Sequence, residues 1–382
     1  MKVRSRPRIV VIYNRDFEGA EADPENKARE DVKDVAEHIQ RILSGAGFEA
    51  DGLGVTGDVA AAMAALGERK PDAVFNLCES IHGDNRFEAL MPLLMDLANI
   101  AYTGSCSFGL SLALRKEKVK EVLRGNNIPV PRGGLVASVE QCATLQLSFP
   151  AIVKPAREDA SVGICSASVV RDSEGLEKRV VCVLENYRQP VLVEEFIEGR
   201  EIYVSVLERP DQEPQVFPFF EIDFSDMPAD RPKIVSFEGK WVEESVEYKG
   251  TRPIRCEKMP PDLRALIGKT AVQAFRAIGL RDYARMDFRL SADGIPYVID
   301  VNPNCDLSDL AGGYSKAAKA AGLSYKELIL HIAGLALARQ ASMKDIAKLA
   351  ATPDASNGVD GGGADLQAGV HASSPRGGAR SV

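Results

Sequence analysis

The chain has 382 residues, of which 45% are hydrophobic and 27% charged, and its formal net charge is −8 at pH 7. This composition is typical of a folded, water-soluble protein of two or three domains, and the negative charge argues against a nucleic-acid surface or an acidic membrane. The seven cysteines include no CxxC pair, so neither a zinc ribbon nor a disulfide framework is supported. The apolar runs are too short for a secretory segment or a membrane span, and we therefore expect a cytoplasmic protein.

The first 105 residues alternate strand-like and helix-like segments. We predict strands at 8–13 and 72–77 and helices at 30–46 and 87–97, followed by a closing turn at 102–105. Such alternation is typical of a parallel, doubly wound sheet. The fold class is therefore predicted to be α/β, with a Rossmann-like N-terminal domain over 1–105.

Beyond residue 105 the pattern is different. We predict a lysine-rich helix at 109–125, an extended connector at 128–131, a polar loop at 157–163, helices from about 314 to 349, and strands at 151–155, 191–195, 202–207, 284–291 and 295–301. The residues after Pro353 have almost no large apolar side chains, which predicts a disordered tail. The expected divisions are 106–190, 191–350 and a tail over 351–382.

A predicted hairpin carries the strongest local signal for chemistry. Asp293-Gly294 lies between two alternating runs, which is typical of a two-residue turn. With that turn, Asp287 lies opposite Asp300, and one face of the hairpin carries both carboxylates together with Arg285 and Asn302. The opposite face is expected to carry the apolar side chains of Met286, Phe288, Leu290, Ile299 and Val301.

Facing carboxylates repel unless a cation neutralises them, so this face is open to two interpretations. Two aspartates and an asparagine amide oxygen are suitable ligands for Mg²⁺. Alternatively, Arg285 and Arg289 pair with the acids on a solvated face. The hairpin alone does not decide between a metal site and simple ion pairs.

The lysines upstream are equally ambiguous on their own. Lys154 ends an apolar strand just before the polar loop 157–163, where a lysine either meets phosphate oxygens or extends its ammonium into water. Lys116 lies among other basic residues and fits a solvated helix face.

Taken together and in order, these segments resemble the ATP-grasp superfamily and, within it, the D-alanine–D-alanine ligase-like carboxylate–amine ligases, over about residues 8–340. The landmarks are Val74-Phe-Asn-Leu77, Tyr102-Thr-Gly-Ser105, Ile152-Val-Lys-Pro155, Ser161-Val-Gly163, Glu194-Glu-Phe-Ile-Glu-Gly-Arg-Glu201, and Arg285-Met-Asp287 with Asp300-Val-Asn302. The resemblance implies an ATP-grasp fold, with α+β character in the ATP-binding part, behind an N-terminal pre-ATP-grasp domain.

The resemblance also implies roles for individual residues. ATP contacts are implied for Lys116, Lys154, Ser161, Glu194, Glu195, Ile197, Glu201 and Lys240. The adenine hinge runs from Glu194 to Ile197, and Glu201 contacts the ribose. Lys240 is the third phosphate-contacting lysine, and Arg285 stabilises developing negative charge. Asp287, Asp300 and Asn302 match the magnesium ligands, in agreement with the hairpin argument.

The implied reaction joins a small-molecule carboxylate, such as an amino acid or small peptide, to an amine. The carboxylate attacks the γ-phosphate of ATP, and the amine then displaces phosphate from the acyl phosphate to form an amide. Lysines, arginine and two Mg²⁺ ions, or Mn²⁺ in their place, would supply most of the catalysis. The resemblance is compatible with a homodimer and involves neither nucleic acid nor membrane.

The substrate end departs from the family pattern. Three linked positions, a glutamate, a serine and a tyrosine in D-alanine–D-alanine ligases, fall here at Ala28, Ala160 and Trp241. These departures beside retained ATP and metal residues predict altered substrates. The candidate substrate residues are His82, Arg86, Asp306 and Ser308. Two alternatives stay open: a small-molecule kinase of the same fold, and a non-catalytic ATP-binding regulator.

Overall fold

The computed structural model describes residues 6–15 and 24–351, with the helix backbone alone at 24–31 and 345–351. The side chain of Ala28 and the predicted tail after residue 351 therefore lie outside the described residues. The described chain up to Met343 belongs to one compact unit, and a second unit begins at Lys344, in the last helix. The first unit is built around three sheets.

The first sheet is parallel, as the sequence predicts, and it establishes the α/β character of the fold. Its strand order is β2-β1-β3, with β1 at Arg8–Asn14, β2 at Glu49–Val55 and β3 at Ala73–Leu77. Three helices accompany it: α1 (Pro24–Gly45), α2 (Val59–Arg69) and α3 (Leu90–Leu97). The continuous apolar run of β1 is buried because both faces of a central parallel strand are covered.

The second sheet is antiparallel, in the order β4-β7-β5-β6. Its strands are β4 (Gly133–Val136), β5 (Ala151–Pro155), β6 (Val169–Val170) and β7 (Val191–Glu195). The helices of this region are α4 (Ser107–Ala113), α5 (Lys116–Gly125) and α6 (Ser173–Tyr187). The single helix predicted at 109–125 is thus wrong: Arg115 leaves the helical conformation (φ −98°, ψ 79°) and separates α4 from α5.

The pairing of β7 bears on the predicted domain boundary. This strand pairs with both β4 and β5, so it belongs to the second sheet. We therefore propose that the boundary between the two later parts lies in 196–199 rather than at residue 190.

The third sheet has six strands, with the main order β11-β10-β8-β12-β13 and β9 paired to β8. They are β8 (Arg200–Leu207), β9 (Gln215–Val216), β10 (Phe220–Asp223), β11 (Arg252–Arg255), β12 (Tyr283–Leu290) and β13 (Pro296–Asn302). The remaining helices are α7 (Phe237–Trp241), α8 (Val246–Lys249), α9 (Pro261–Ala277), α10 (Gly313–Ala320) and α11 (Tyr325–Ala351). The apolar faces of α5 and α9 pack on this sheet.

The β12–β13 hairpin has the predicted pairs at its functional end but a different turn. Asp287 lies opposite Asp300 and Arg285 opposite Asn302, whereas Phe288 pairs with Val298 because a bulge follows Asp287. Near the turn the register is therefore shifted by one residue relative to the two-residue hairpin, and the loop is closed by the Ser291–Ile295 hydrogen bond. The bulge restores the predicted pairs beyond it. It also puts Val298 in the core in place of Ile299.

Among the described helices, none is by itself long and apolar enough to cross a membrane. By length and composition alone, α10 and the described part of α11 reach that threshold as a pair bent by 105°.

Candidate active site

A buried carboxylate on the second sheet lies between two lysines. Because side chains alternate along strands, Lys154 of β5 and Glu194 of β7 share one face, while Val153 and Val193 pack on the other side of the sheet. Lys154 Nζ lies 2.8 Å from Glu194 Oε2. Burial acts to raise the pKa of Glu194, but Lys120 and Lys154 outweigh it, so the pKa is lowered and the carboxylate stays charged.

Helix α5 presents a buried stripe that contains two lysines. Lys116, Val119, Lys120 and Leu123 follow the i, i+3, i+4, i+7 spacing of one helix face, and all four are buried. Lys116 Nζ lies 2.8 Å from Asp159 Oδ1 and 3.2 Å from Asp300 Oδ1. Burial opposes its charge, yet the two carboxylates raise the pKa of Lys116. The solvated-face interpretation of Lys116 is therefore wrong.

Lys120 lies among the candidate site residues, although the sequence analysis did not single it out. Its ammonium donates to the backbone carbonyls of Val298 at 2.8 Å and Ile299 at 2.7 Å and lies 3.4 Å from Glu194 Oε1. Burial lowers the pKa of Lys120 to about 8, although Glu194 acts in the opposite direction. The signal was present in the sequence, since Lys120 shares its helical spacing with Lys116, Val119 and Leu123.

The two aspartates of the hairpin experience different electrostatic surroundings. Arg285 donates to both oxygens of Asp287, at 2.7 and 2.8 Å, and Asn302 Nδ2 donates to Asp287 Oδ2 at 3.2 Å. Burial nevertheless raises the pKa of Asp287, with the nearby Asp300 adding to the effect. The pKa of Asp300 is lowered, since Lys116, Lys154 and Lys120 together outweigh its desolvation.

The arginine alternative is only partly realised in the structure. Arg285 does pair with Asp287, but both side chains are largely buried rather than on a solvated face. Arg289 instead pairs with Glu201, 2.9 Å away on the neighbouring strand β8. Burial raises the pKa of Glu201, although the Arg289 guanidinium opposes this.

The donor set on the hairpin suits a hard cation that also binds a phosphate-bearing substrate. Mg²⁺ is usually held by one or two carboxylates together with substrate phosphates, and Asp287, Asp300 and Asn302 provide two carboxylates and an amide. Through the described part of the chain, no group of three or more His, Cys, Asp or Glu residues could hold a metal by itself. The residues therefore fit a cation bound jointly with a nucleotide better than a dedicated metal cage.

The predicted adenine hinge, Glu194 to Ile197, begins in the last two residues of β7. The backbone amide of Glu195 donates to the Arg132 carbonyl at 2.8 Å, and its side chain accepts from the Ser148 amide at 3.2 Å. Ile197 lies half-buried in the connection from β7 to β8, and Glu201 is buried at the start of β8. The hinge residues thus join the second sheet to the third.

Two loops, 157–163 and 235–241, contact each other. The Ser161 hydroxyl donates to the Val235 carbonyl at 3.0 Å, and the indole N–H of Trp241 donates to the Ala160 carbonyl at 3.0 Å. Ala160 and Ser161 both have positive φ (54° and 65°), which costs non-glycine residues about 1–2 kcal/mol each. The loop is also tied to α5 by the bidentate ion pair of Arg157 with Glu117, at 2.6 and 2.9 Å.

Lys240 and Trp241 are neighbours in α7 and contact each other. Lys240 Nζ lies 5.0 Å from the centroid of the Trp241 ring, a cation–π geometry. Lys240 is exposed. Desolvation by the surrounding protein and the positive charge of Arg285 lower the pKa of Lys240.

The candidate substrate residues lie on loops and already have local partners. Arg86 binds Asp84 at 2.5 Å and is 68% exposed, and the imidazole of His82 lies against Gly57. Asp306 accepts from the amide and hydroxyl of Ser308 at 2.7 and 2.9 Å. The structure thus places these residues at the surface of the first sheet's loops and in the loop after β13.

A half-buried contact at this end was not anticipated from the sequence. Asn304 Nδ2 donates to Glu88 Oε1 at 2.9 Å, although the two residues are 216 positions apart. Burial raises the pKa of Glu88 well above its usual value, while the hydrogen bond from Asn304 opposes that shift. Nothing in the local pattern around Glu88 or Asn304 indicates such a long-range pair.

Comparison with known proteins places this arrangement in context. The family model described as D-ala D-ala ligase C-terminus matches residues 133–333. The D-alanine–D-alanine ligase A of Mesorhizobium japonicum is 34% identical over 275 residues, covering 71% of this chain and 73% of its own. An uncharacterized protein of Sinorhizobium fredii, y4sG, is 35% identical over 261 residues, covering 68% of this chain and 73% of its own.

Solved structures agree in fold. The crystal structure of D-alanine–D-alanine ligase from Bacillus anthracis complexed with ATP has a TM-score of 0.66 and 20% identity, covering 89% of this chain and 99% of that chain. The ligase from Coxiella burnetii has a TM-score of 0.65 and 18% identity over 90% of this chain and 98% of its own.

Proposed function

This chain belongs to the D-alanine–D-alanine ligase family of ATP-dependent ligases that form C–N bonds, and we propose that it is a Mg²⁺-dependent carboxylate–amine ligase with substrates other than two D-alanines. The observation that carries this proposal is the concentration of lysines around two charged carboxylates, the buried Glu194 and the half-buried Asp300, where the second and third sheets meet. Lys116, Lys120 and Lys154 lie within 3.5 Å of Glu194 or Asp300.

The proposed chemistry proceeds by displacement at phosphorus and then at carbon. A carboxylate oxygen of the donor attacks the γ-phosphorus, ADP leaves, and an acyl phosphate is formed. The amine nitrogen then attacks the carbonyl carbon, phosphate leaves with the former carboxylate oxygen, and the amine gives up a proton. Both steps gather negative charge on oxygen, which buried cationic side chains stabilise without reorganising.

The chain's own residues supply three functions in this scheme. Lys116, Lys154 and Lys240 bind phosphate oxygens, and Arg285 stabilises the oxygen that becomes negative at the acyl centre. Asp287, Asp300 and Asn302 would hold Mg²⁺, which when bound neutralises phosphate charge. We propose that two Mg²⁺ ions bind and that Mn²⁺ can replace them, which metal titration tests.

Closure of loop 157–163 excludes water from the reactive acyl phosphate. In this chain the two loops are joined by Trp241 and the backbone of Ala160, at positions where D-alanine–D-alanine ligases use side-chain partners. We propose that this changed connection accompanies changed substrates, because the lid forms one wall of the substrate space. Asp306 and Ser308, in the loop after Asn302, are proposed to contact the substrate.

The direct test measures phosphate release from Mg·ATP over a matrix of D- and L-amino acids and small amines, with products identified by mass. The proposal expects a product whose mass equals the two substrates minus water, formed with one phosphate per amide. Efficient turnover with D-alanine as sole amino acid would contradict the altered substrates. A stable phosphorylated product would contradict ligation.

A further inference from the structure

Lys120 has no role in the scheme above, yet it is one of the most buried charges in the described chain. Only 4% of the residue is exposed. A buried ammonium is costly to keep unless hydrogen bonds and opposite charge compensate it. Lys120 has both, because its three N–H groups meet two carbonyl oxygens and lie close to a carboxylate.

The partners of Lys120 lie on different sheets. Glu194 belongs to β7 of the second sheet, whereas Val298 and Ile299 belong to β13 of the third. Lys120 itself projects from α5, whose apolar side chains pack on the third sheet. A single ammonium thus connects the two sheets where the adenine hinge and the hairpin acids approach each other.

The contact on β13 is at the bulge. Ile299 is the extra residue between the pairs Phe288–Val298 and Asp287–Asp300, and its carbonyl accepts the shortest bond from Lys120. The bulge fixes the register that places Asp300 opposite Asp287. Bulges re-aim side chains next to active sites, and this one directly precedes Asp300.

We propose that Lys120 is a positioning residue that holds Glu194 and the bulged segment before Asp300 at a fixed separation across the nucleotide cleft. This inference rests on the proposed function for its catalytic meaning, but not for its effect on nucleotide binding. Without the ammonium, Glu194 retains only Lys154, and two carbonyls lose their buried donor. Asp300 is then free to move relative to the hinge.

Two variants separate the parts of this role. Lys120→Met removes the charge and all donors at similar volume, and Lys120→Gln keeps two donors but not the charge. Lys118→Met is the matched control, since Lys118 is exposed on the same helix and pairs with Glu121. The readouts are the affinity for a non-hydrolysable ATP analogue with Mg²⁺ by titration calorimetry, kcat and KM for ATP, and Tm.

Partners that orient metal ligands typically contribute 10- to 100-fold to affinity or activity. We expect Lys120→Met to weaken Mg·nucleotide binding and to lower kcat/KM for ATP by about that factor. Lys120→Gln should lie between it and the wild type, and Lys118→Met should match the wild type. If Lys120 only stabilises the fold, its substitution should lower Tm and leave the nucleotide affinity, kcat and KM unchanged.

Wild-type affinity and kcat in either Lys120 variant would overturn the proposal. If Lys120→Met does not fold, Lys120→Gln carries the test. If the wild type binds the Mg·nucleotide but ligates nothing, the proposed function fails, while the calorimetric comparison still decides the role of Lys120.

Discussion

The candidate site has two ends, which are built differently. We call the part that carries the lysines and the hairpin acids the cation end, and the part that carries the candidate substrate residues the substrate end. At the cation end, Lys154, Glu194, Asp287 and Asp300 are fixed on strands of two sheets, where alternation dictates which face each occupies. At the substrate end, the candidate residues lie between the strands and long helices, and Arg86 and Asp306 bond to residues two positions away. The first group is held by the fold, and the second by local turns.

This difference has a functional consequence. The sheets set the backbone positions of the strand-borne groups, so under the proposed function these groups are expected to preserve the chemistry of nucleotide activation. Loop residues can be exchanged at little cost to the fold, and substrate preference is expected to vary there. The loop 157–163 belongs to neither group, since two ion pairs anchor it to α5 and hydrogen bonds anchor it to 235–241.

The largest expected effect is at the cation end. Lys154→Ala or Asp300→Ala should lower kcat/KM by about 100- to 1000-fold, the size of losing one preorganised electrostatic contact. Circular dichroism and Tm should show that the variants fold, and Asp293→Ala, in the exposed turn of the same hairpin, is the control. Activity within tenfold of wild type in either variant would remove the basis for the site assignment.

The loop connection should have an intermediate effect. Trp241→Phe keeps an aromatic ring but loses the N–H that bonds to Ala160, a contact worth about 1 kcal/mol net. We expect kcat/KM to fall about 3- to 10-fold and ATP hydrolysis without amide formation to rise, because water reaches the acyl phosphate. The ratio of phosphate to amide reports this directly. An unchanged ratio, equal to that of the exposed neighbour variant Val242→Ala, would contradict a lid held by Trp241.

Glu88 provides a smaller, pH-dependent effect on stability at the substrate end. Since burial raises its folded pKa above 4.5, the folded state retains a proton that the unfolded state releases as the pH rises above that value. The stability that Glu88 contributes at low pH is therefore lost as the pH rises through its folded pKa. Glu88→Gln keeps an acceptor for Asn304 without the charge, so its Tm should rise relative to that of the wild type as the pH increases from 4.5 through the raised folded pKa of Glu88. A Tm difference between Glu88→Gln and the wild type that stays constant over that pH range would argue against a raised pKa of Glu88.

The smallest expected effect is at Arg86. Asp84 already neutralises this exposed guanidinium, and exposed ion pairs contribute about 1 kcal/mol at most. Arg86→Ala should therefore change the KM of the carboxylate substrate less than about fivefold. A much larger increase would establish Arg86 as a carboxylate anchor and would weaken the contrast between the two ends.

The sequence was informative where local periodicity determines geometry. The period of two along the hairpin placed Asp287 and Asp300 on the face away from the apolar core, in agreement with the structure. The bulge at Ile299 escaped prediction because register near the turn depends on loop geometry. Its one-residue shift compensated for the wrongly predicted turn.

Contacts between distant segments could not be predicted. The bond of Trp241 to Ala160 spans 81 residues, and that of Asn304 to Glu88 spans 216. Lys120 is an intermediate case, since helical spacing places it on the buried stripe of α5. From sequence alone, a lysine at such a position is assigned to the surface, because its carbonyl partners on β13 are not known.

The most direct test of the account follows the oxygen atoms. With the carboxylate substrate labelled with oxygen-18, transfer through an acyl phosphate predicts one labelled oxygen in the released phosphate and one retained in the amide. Inorganic phosphate free of label, with amide formed, would contradict the acyl phosphate. If the formation of labelled phosphate requires both Lys154 and Asp300, the acyl-phosphate chemistry depends on the residues of the cation end.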